Sequence, residues 1–283
     1  MSTDQQTLLQ IEDWYWPYWG EAPANVPIHV LTGENDWRMA AWMLASFFRF
    51  TESAWPIVFH DDGTLSSDAR RSLENLFEHS STISRAEADA KMNRVLRAYP
   101  YCHEYRLGNP LGLRIFDTAC FEPAERYLVL DSDVLFFQRP DEIMDWADDP
   151  FALGCWFNRD AREFSNVSDF EAREELGVSL WPRVDSGIGL IHRPVIDLAF
   201  CDRALATTAI LRGAEDRIEQ TLFALCASRG GPGGLLPNTY EVSLKGRASP
   251  DAVSRHYVPA VRNRYFTEGL KLLREPVLVA ELD

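Results

Sequence analysis

At 283 residues, with 46% hydrophobic and 25% charged side chains, the chain can bury a substantial core and has an ordinary globular composition. A formal net charge of −15 argues against a nucleic-acid or anionic-lipid partner, both of which need a basic face, but leaves room for a small anionic ligand held by local cations. The five cysteines are scattered and form no CxxC pair, so neither a zinc site nor a disulfide framework is suggested, and they read as buried small hydrophobes. The opening MSTDQQTLLQ is polar and no apolar run approaches a membrane span, which makes a cytoplasmic location the default expectation.

The first 25 residues hold DWYWPYWG, whose three tryptophans and two tyrosines fit neither helix nor strand periodicity. They read as an aromatic arm packed on the body, with an acceptor or membrane-interface contact as the sharper alternative. PIHVLTG (27–33) reads as a short buried strand, and the next stretch as a helix from about Asp36 to Thr51 with Met39, Met43, Phe47 and Phe50 at helical spacing. WPIVFHDDG (55–63) is a second strand. Two helices follow, SSDARRSLENLFEH and SRAEADAKMNRVLRAY, the second opened by a capping box at Ser84 and Glu87. NPLGLRIFDTACF reads as a helix leading into the strand Tyr127 to Leu130. Beyond it come a strand at FALGCWF (151–157) and a capped helix at SDFEAREELG stopped by Gly177. SGIGLIH is a strand, followed by helices from Pro194 to about Leu211 and from Glu215 to Ser228. SRGGPGGLLPN (228–238) has the composition of a flexible loop, and TYEVSL that of a late strand. Strand–helix alternation of this kind predicts an α/β fold with a mostly parallel sheet, and with no dividing linker one domain over 26–283 is expected.

The stretch ERYLVLDSDVLFF (125–137) carries the chemistry. Asp131 and Asp133 sit between two apolar runs, where ionised carboxylates are costly unless paired, and where two together repel unless one protonates or a cation sits between them. Ligand sites of open α/β sheets collect at the carboxyl ends of such strands. An acidic turn would explain the aspartates but not the immediate return to VLFF, so a cation site is the better reading. Carboxylates that hold Mg or Mn share it with phosphate oxygens, and arginines nearby in sequence (Arg114, Arg126, Arg139) suit a phosphate ligand.

Taken together, PIHVLTG, LGLRIFD, YLVLDSDVLFF, VDSGIGLIHR, IEQTLF and HYVPAVR follow one another in the order found in GT-A glycosyltransferases. Over about residues 26–270 the chain resembles the retaining, glycogenin-like and lipopolysaccharide galactosyltransferase-like enzymes of family 8. The resemblance implies a Rossmann-like GT-A (nucleotide-diphospho-sugar transferase) fold and a nucleotide-sugar donor, with uracil as its base. Leu31, Thr32 and Gly33 would then line the nucleoside pocket, and Arg114 would touch donor phosphate or sugar. Asp131, Asp133 and His256 would hold a divalent cation, usually Mn2+ with Mg2+ as the alternative, with Ser132 near the ribose. Arg262 takes the place of a late lysine at the diphosphate, although Tyr257 and Pro259 replace the usual Phe and Gly of that motif. Asp185, Glu219 and Gln220 would lie beside the donor sugar.

Each residue also has a plain structural reading. His256 alone would be an ordinary hydrogen-bonded histidine, Asp185 a cap of the DSG turn, Glu219 and Gln220 solvated helix positions, and Arg114 a surface ion pair. The expected reaction is metal-dependent transfer of a sugar from a UDP-sugar to an acceptor hydroxyl, with retention. The acceptor could be a saccharide, a lipid-linked sugar, a protein or a small molecule. The rivals are a GT-A fold that binds without turnover and a haloacid dehalogenase-like phosphatase using the first aspartate as nucleophile. That phosphatase motif normally opens its chain, however, and here about 130 residues precede it.

Overall fold

The computed structural model describes residues 11, 20–21, 26–207, 210 and 213–274; the aromatic cluster at 14–19 lies outside them. Three apolar segments form parallel strands: β1 (Ile28–Thr32), β2 (Ile57–Asp61) and β4 (Arg126–Leu130). Between them run helices α1 (Trp37–Thr51), α2 (Ser67–Leu76), α3 (Arg85–Val95), α4 (Pro100–Gly108) and α5 (Leu111–Phe121), with β3 (Ser80–Ile83) at the sheet edge. Strands β6 (Cys155–Arg159), β7 (Val184–His192) and β8 (Gly233–Leu235) complete a seven-stranded sheet in the order β8-β6-β7-β4-β1-β2-β3. Only the two ladders of β7, to β6 and to β4, are antiparallel. The fold class is therefore the expected α/β with a mostly parallel sheet.

Apolar side chains fill both faces of the sheet. On one face α1 buries Met39, Met43 and Phe47, and the Phe47 ring meets Trp55 and Phe136 edge-on at 5.3 and 5.0 Å. Burying one such ring contributes roughly 1.5–3 kcal/mol. Further along the chain come α6 (Asp141–Asp148), α7 (Leu198–Leu205) and α8 (Ile218–Arg229), the last two packing beneath β7 on the other face.

The apolar run after the aspartates forms β5 (Val134–Phe136), which leaves the main sheet and pairs antiparallel with β10 (Ser254–His256). β10 in turn pairs in parallel with β9 (Tyr240–Val242), giving a second, three-stranded sheet. VLFF thus has its own structural task, which is to bring in a strand from far along the chain.

Several expected boundaries shift. The strand expected at 151–157 begins only at Cys155, because Gly154 has φ +92° and a Cβ there would lie 1.4 Å from the Pro232 carbonyl oxygen. The glycine-rich stretch 228–238 is not simply a loop: Gly233–Leu235 pairs in parallel with Cys155–Phe157, and glycine is needed at 233, where φ is +146° and a Cβ would lie 2.2 Å from the Cys155 carbonyl oxygen. Within the segment expected as a helix from Pro194 to about Leu211, the described residues show a 3-10 turn at Arg193–Val195 and a regular helix over Leu198–Leu205 capped by Asp197. Ser168 and Glu171 do form the reciprocal capping box, and Gly177 ends that helix at φ +70°. No helix among the described residues is long and apolar enough to cross a membrane.

One buried polar chain underlies the sheet. His29 on β1 and His60 on β2 are joined Nδ1 to Nε2 at 2.8 Å, and His29 Nε2 lies 2.9 Å from Glu122 at the end of α5. A His29 that donates through Nε2 to the carboxylate must accept through Nδ1, so His60 donates to it. Burial lowers the pKa of His29 against the pull of Glu122, and lowers that of His60 well below the usual value, with the charges of His29 and Arg106 adding to the effect. The folded form thus resists protons that the unfolded chain takes up near pH 6.5, so stability is full above that pH and falls below it. The unfolding free energy measured by urea titration should drop between about pH 7.5 and 5.5, by up to ~1.4 kcal/mol per pH unit for each histidine. His60→Leu should flatten that slope, and an unchanged slope would show that the pair is not its source.

Candidate functional site

Strand direction decides where the chemistry gathers. The carboxyl ends of β1, β2, β4 and β6 and the amino end of β7 all reach the same edge of the sheet, placing Thr32, Asp62, Asp131, Asp160 and Asp185 around one opening. A cleft of about 750 Å3 lies there. It is lined by every residue given a site role from the motif order, from Leu31, Thr32 and Gly33 through to Arg262, but not by Arg126 or Arg139: Arg126 donates to the Trp146 carbonyl at 2.7 Å, and Arg139 pairs with Asp141 at 3.0 Å.

At its centre are Asp131, Asp133 and His256, each offering one ligand atom within 4.8 Å of the others. The two aspartates follow β4, while His256 ends β10, whose ladder to β5 sets His256 opposite Val134. The Tyr257 amide donates to the Asp133 carbonyl at 2.9 Å and closes this junction. His256 Nε2 faces Asp133 at 3.1 Å and Asp131 at 3.5 Å, while Nδ1 meets Asp185 at 2.9 Å. Asp185 also accepts the Gly187 amide at 3.0 Å, so it is itself held in place. A Cβ on Gly187 would lie 2.3 Å from His256 Nδ1, and only glycine allows the ring this close to β7.

The electrostatics are severe. Two carboxylates this close repel by roughly 3 kcal/mol even at an effective dielectric of ~20. Burial, with the neighbouring carboxylates, pushes Asp131 up despite the Arg114 and His256 charges. Burial acts in the same direction on Asp133, but His256 and Arg262 outweigh it and hold that carboxyl well below its usual range. His256 is raised well above an ordinary histidine because Asp185 and Asp133 overcome the cost of its burial.

Arg114, on α5, is buried. Its guanidinium donates to Ser186, lies 3.2 Å from Asp131 Oδ1 and 3.1 Å from Glu219 Oε1, and so is no surface ion pair. Glu219 also accepts from Ser186 Oγ at 2.9 Å. Burial, partly offset by Arg114, pushes Glu219 up to about 7. Gln220 points its amide at Asp160, 3.4 Å away. Arg262 donates to Asp133 at 2.6 Å from the opposite wall.

A divalent cation fits this donor set. With a cation in place of its Nε2 proton, His256 would keep an Nδ1–H donated to Asp185 and turn its Nε2 lone pair toward the two carboxylates, an arrangement typical of metal-binding histidines.

The cleft also contains residues that the sequence reading passed over: Asp36, Asp62, Asp160, Arg162, Phe164 and Arg217. Asp36 precedes α1 but makes no capping bond, and burial raises its pKa against the pull of Arg262. Asp160 is pushed up to about 6, chiefly by burial, with the Asp185 charge adding to it. Its position after an apolar strand repeats that of Asp131, and this was the one available signal.

No protein-family model and no curated protein matches the sequence. Solved structures do match. Mouse xyloside xylosyltransferase 1 superimposes with a TM-score of 0.56 at 13% identity, over 83% of this chain and 98% of that one. The galactosyltransferase LgtC, in complex with donor and acceptor sugar analogues, gives 0.53 at 13% identity over 89% and 97%. The glycosyltransferase GlyE of Streptococcus pneumoniae TIGR4 gives 0.51 at 10% identity over 87% and 64%. The fold is that of the GT-A glycosyltransferases. Its likeness to LgtC agrees with the resemblance read from the motif order.

Gly187→Ala should displace the His256 ring and weaken Mn2+ binding by about 10- to 100-fold, with the far-ultraviolet spectrum unchanged. Electron paramagnetic resonance of free Mn2+ measures this directly, and a wild-type affinity in the variant would remove His256 from the donor set.

Proposed function

We propose that the protein is a metal-dependent glycosyltransferase that moves a sugar from a nucleoside diphosphate donor to an acceptor hydroxyl. The observation that carries this reading is the convergence of Asp131, Asp133 and His256 with Arg262 at the carboxyl edge of a GT-A sheet. UDP is the nucleotide and Mn2+ the cation that the family resemblance implies, with Mg2+ equally suited to the carboxylates. The LgtC structure holds donor and acceptor sugar analogues, and the same division of the cleft is proposed here.

In this reading the nucleoside lies along Leu31, Thr32 and Gly33, where Thr32 Oγ1 is buried without a hydrogen-bond partner among the described residues. Ser132 stands beside the ribose. Bound between Asp131, Asp133 and His256, the cation would offset charge on the departing diphosphate. Arg262 adds a second positive group there without reorganising, because Asp133 already orients it. Arg114, clamped by Glu219 and Ser186, presents fixed donors toward the donor phosphate or sugar.

Glu219 is buried and committed to Arg114 and Ser186, which favours an orienting role over attack on the sugar. Asp185 serves through His256, leaving Gln220 as the group beside the sugar. With no carboxylate assigned as nucleophile, retention would proceed with the acceptor hydroxyl attacking from the leaving-group side. The diphosphate would then take up the hydroxyl proton.

Incubation with Mn2+ and a panel of UDP-sugars should release UDP. EDTA should abolish release, and Asp133→Ala should lower it at least about a hundredfold. Tight nucleotide binding with no release across the panel would instead identify a binding protein built on this fold.

A further inference from the structure

The cleft has a second cationic region that the donor chemistry does not use. Arg162 and Phe164 lie on the loop after β6, and Arg217 immediately precedes α8. The Arg162 and Arg217 guanidinium carbons sit 5.0 and 4.7 Å from the centroid of the same Phe164 ring. Neither guanidinium has a carboxylate within ion-pairing distance among the described residues, although the chain carries 43 acidic side chains against 28 Lys and Arg. The other cleft arginines contrast with them, since Arg114 is ion-paired with Asp131 and Glu219, and Arg262 with Asp133. Of the carboxylates lining the cleft here, Asp160 takes the Gln220 amide and Asp185 takes His256, while Asp216, next to Arg217 in the chain, forms no ion pair with it among the described residues.

This arrangement is built rather than incidental. The Asn166 side chain donates to the carbonyls of Ile210 and Ala214 at 3.2 and 3.0 Å, and its amide donates to Thr221 on α8 at 2.9 Å. A Cβ on Gly213 would lie 2.0 Å from Asn166 Cγ, so close packing fixes the loop against the approach to α8. At the other end of the loop Arg183 donates to the Asp160 carbonyl at 2.8 Å. Two like charges are thereby held against one ring, where cation–π attraction offsets only part of their repulsion, and a bound anion would offset more of it.

Position along the sheet separates this region from the donor diphosphate. The cation ligands Asp131 and Asp133 follow β4, and the proposed nucleoside pocket lies on β1. Arg162 follows β6, on the opposite side of β4 and beyond β7. We infer that Arg162, Phe164 and Arg217 form an acceptor subsite for a molecule bearing a carboxylate or a phosphate close to the hydroxyl that receives the sugar. The guanidiniums take the acid, and the Phe164 ring holds them beside one another. This deepens the glycosyltransferase reading and rests on it.

The test uses the full chain saturated with Mn2+ and UDP, titrated calorimetrically with methyl glucuronoside, glucose 6-phosphate and the neutral methyl glucoside. At least one charged probe should bind about tenfold more tightly than the neutral one, with a preference that shrinks at high salt. The two charged probes distinguish carboxylate from phosphate as the acid. Arg162→Gln/Arg217→Gln should erase the preference while leaving UDP affinity unchanged. Equal binding of charged and neutral probes, no binding of any probe, or a preference that survives in the double variant would overturn the subsite. A loss of UDP affinity in that variant would assign the arginines to the donor instead. Failure of UDP itself to bind in the presence of Mn2+ is a separate outcome, and it would contradict the glycosyltransferase reading on which the subsite depends.

Discussion

Everything at the cleft depends on keeping two carboxylates ionised, or nearly so, at the end of a buried strand. Asp131 and Asp133 are too close to share that position unaided, and β4 gives them an apolar wall rather than solvent. The protein answers with cationic partners from distant parts of the chain: Arg114 from α5, His256 from β10 and Arg262 from the helical segment beyond it. Each of these needs a support of its own. Glu219 and Ser186 hold Arg114, Asp185 and Gly187 locate His256, and Tyr265 ties the last helical segment to α1 by donating to the Met39 carbonyl. A cation would replace part of this compensation and bring a diphosphate with it.

The topology makes such a gathering possible. Parallel strands deliver their carboxyl ends to one edge, and the single reversed strand, β7, brings the start of VDSGIG to that same edge. The second sheet exists because β5 turns away from the first, and its pairing with β10 brings His256 to the aspartates. Fold and site are thus coupled through a few residues on either side of Ser132.

How much of this was legible in the sequence follows from range. The β1–α1 unit, the strand before Asp131 and the Ser168 capping box are local patterns, and they formed where expected. The strand at Gly233–Leu235 was hidden because its glycines have no strand propensity, and the ladder depends on the close approach of Gly233 to the distant Cys155 backbone. Asp131 and Asp133 stood out by contrast with their apolar neighbours. His256 and Arg262 carried no such contrast and were reached only through the order of motifs. Arg162, Phe164 and Arg217 gave no signal, because their proximity arises from a loop pinned by Asn166 to a distant helix start.

The central claim is that the aspartate pair and a divalent cation together form the binding site for a nucleoside diphosphate. Calorimetric titration of UDP into the protein with Mn2+ and with EDTA, repeated on Asp133→Ala, tests it most directly. The account predicts binding that requires the metal and is lost in the variant. Binding that ignores the metal, or that survives Asp133→Ala unchanged, would contradict it.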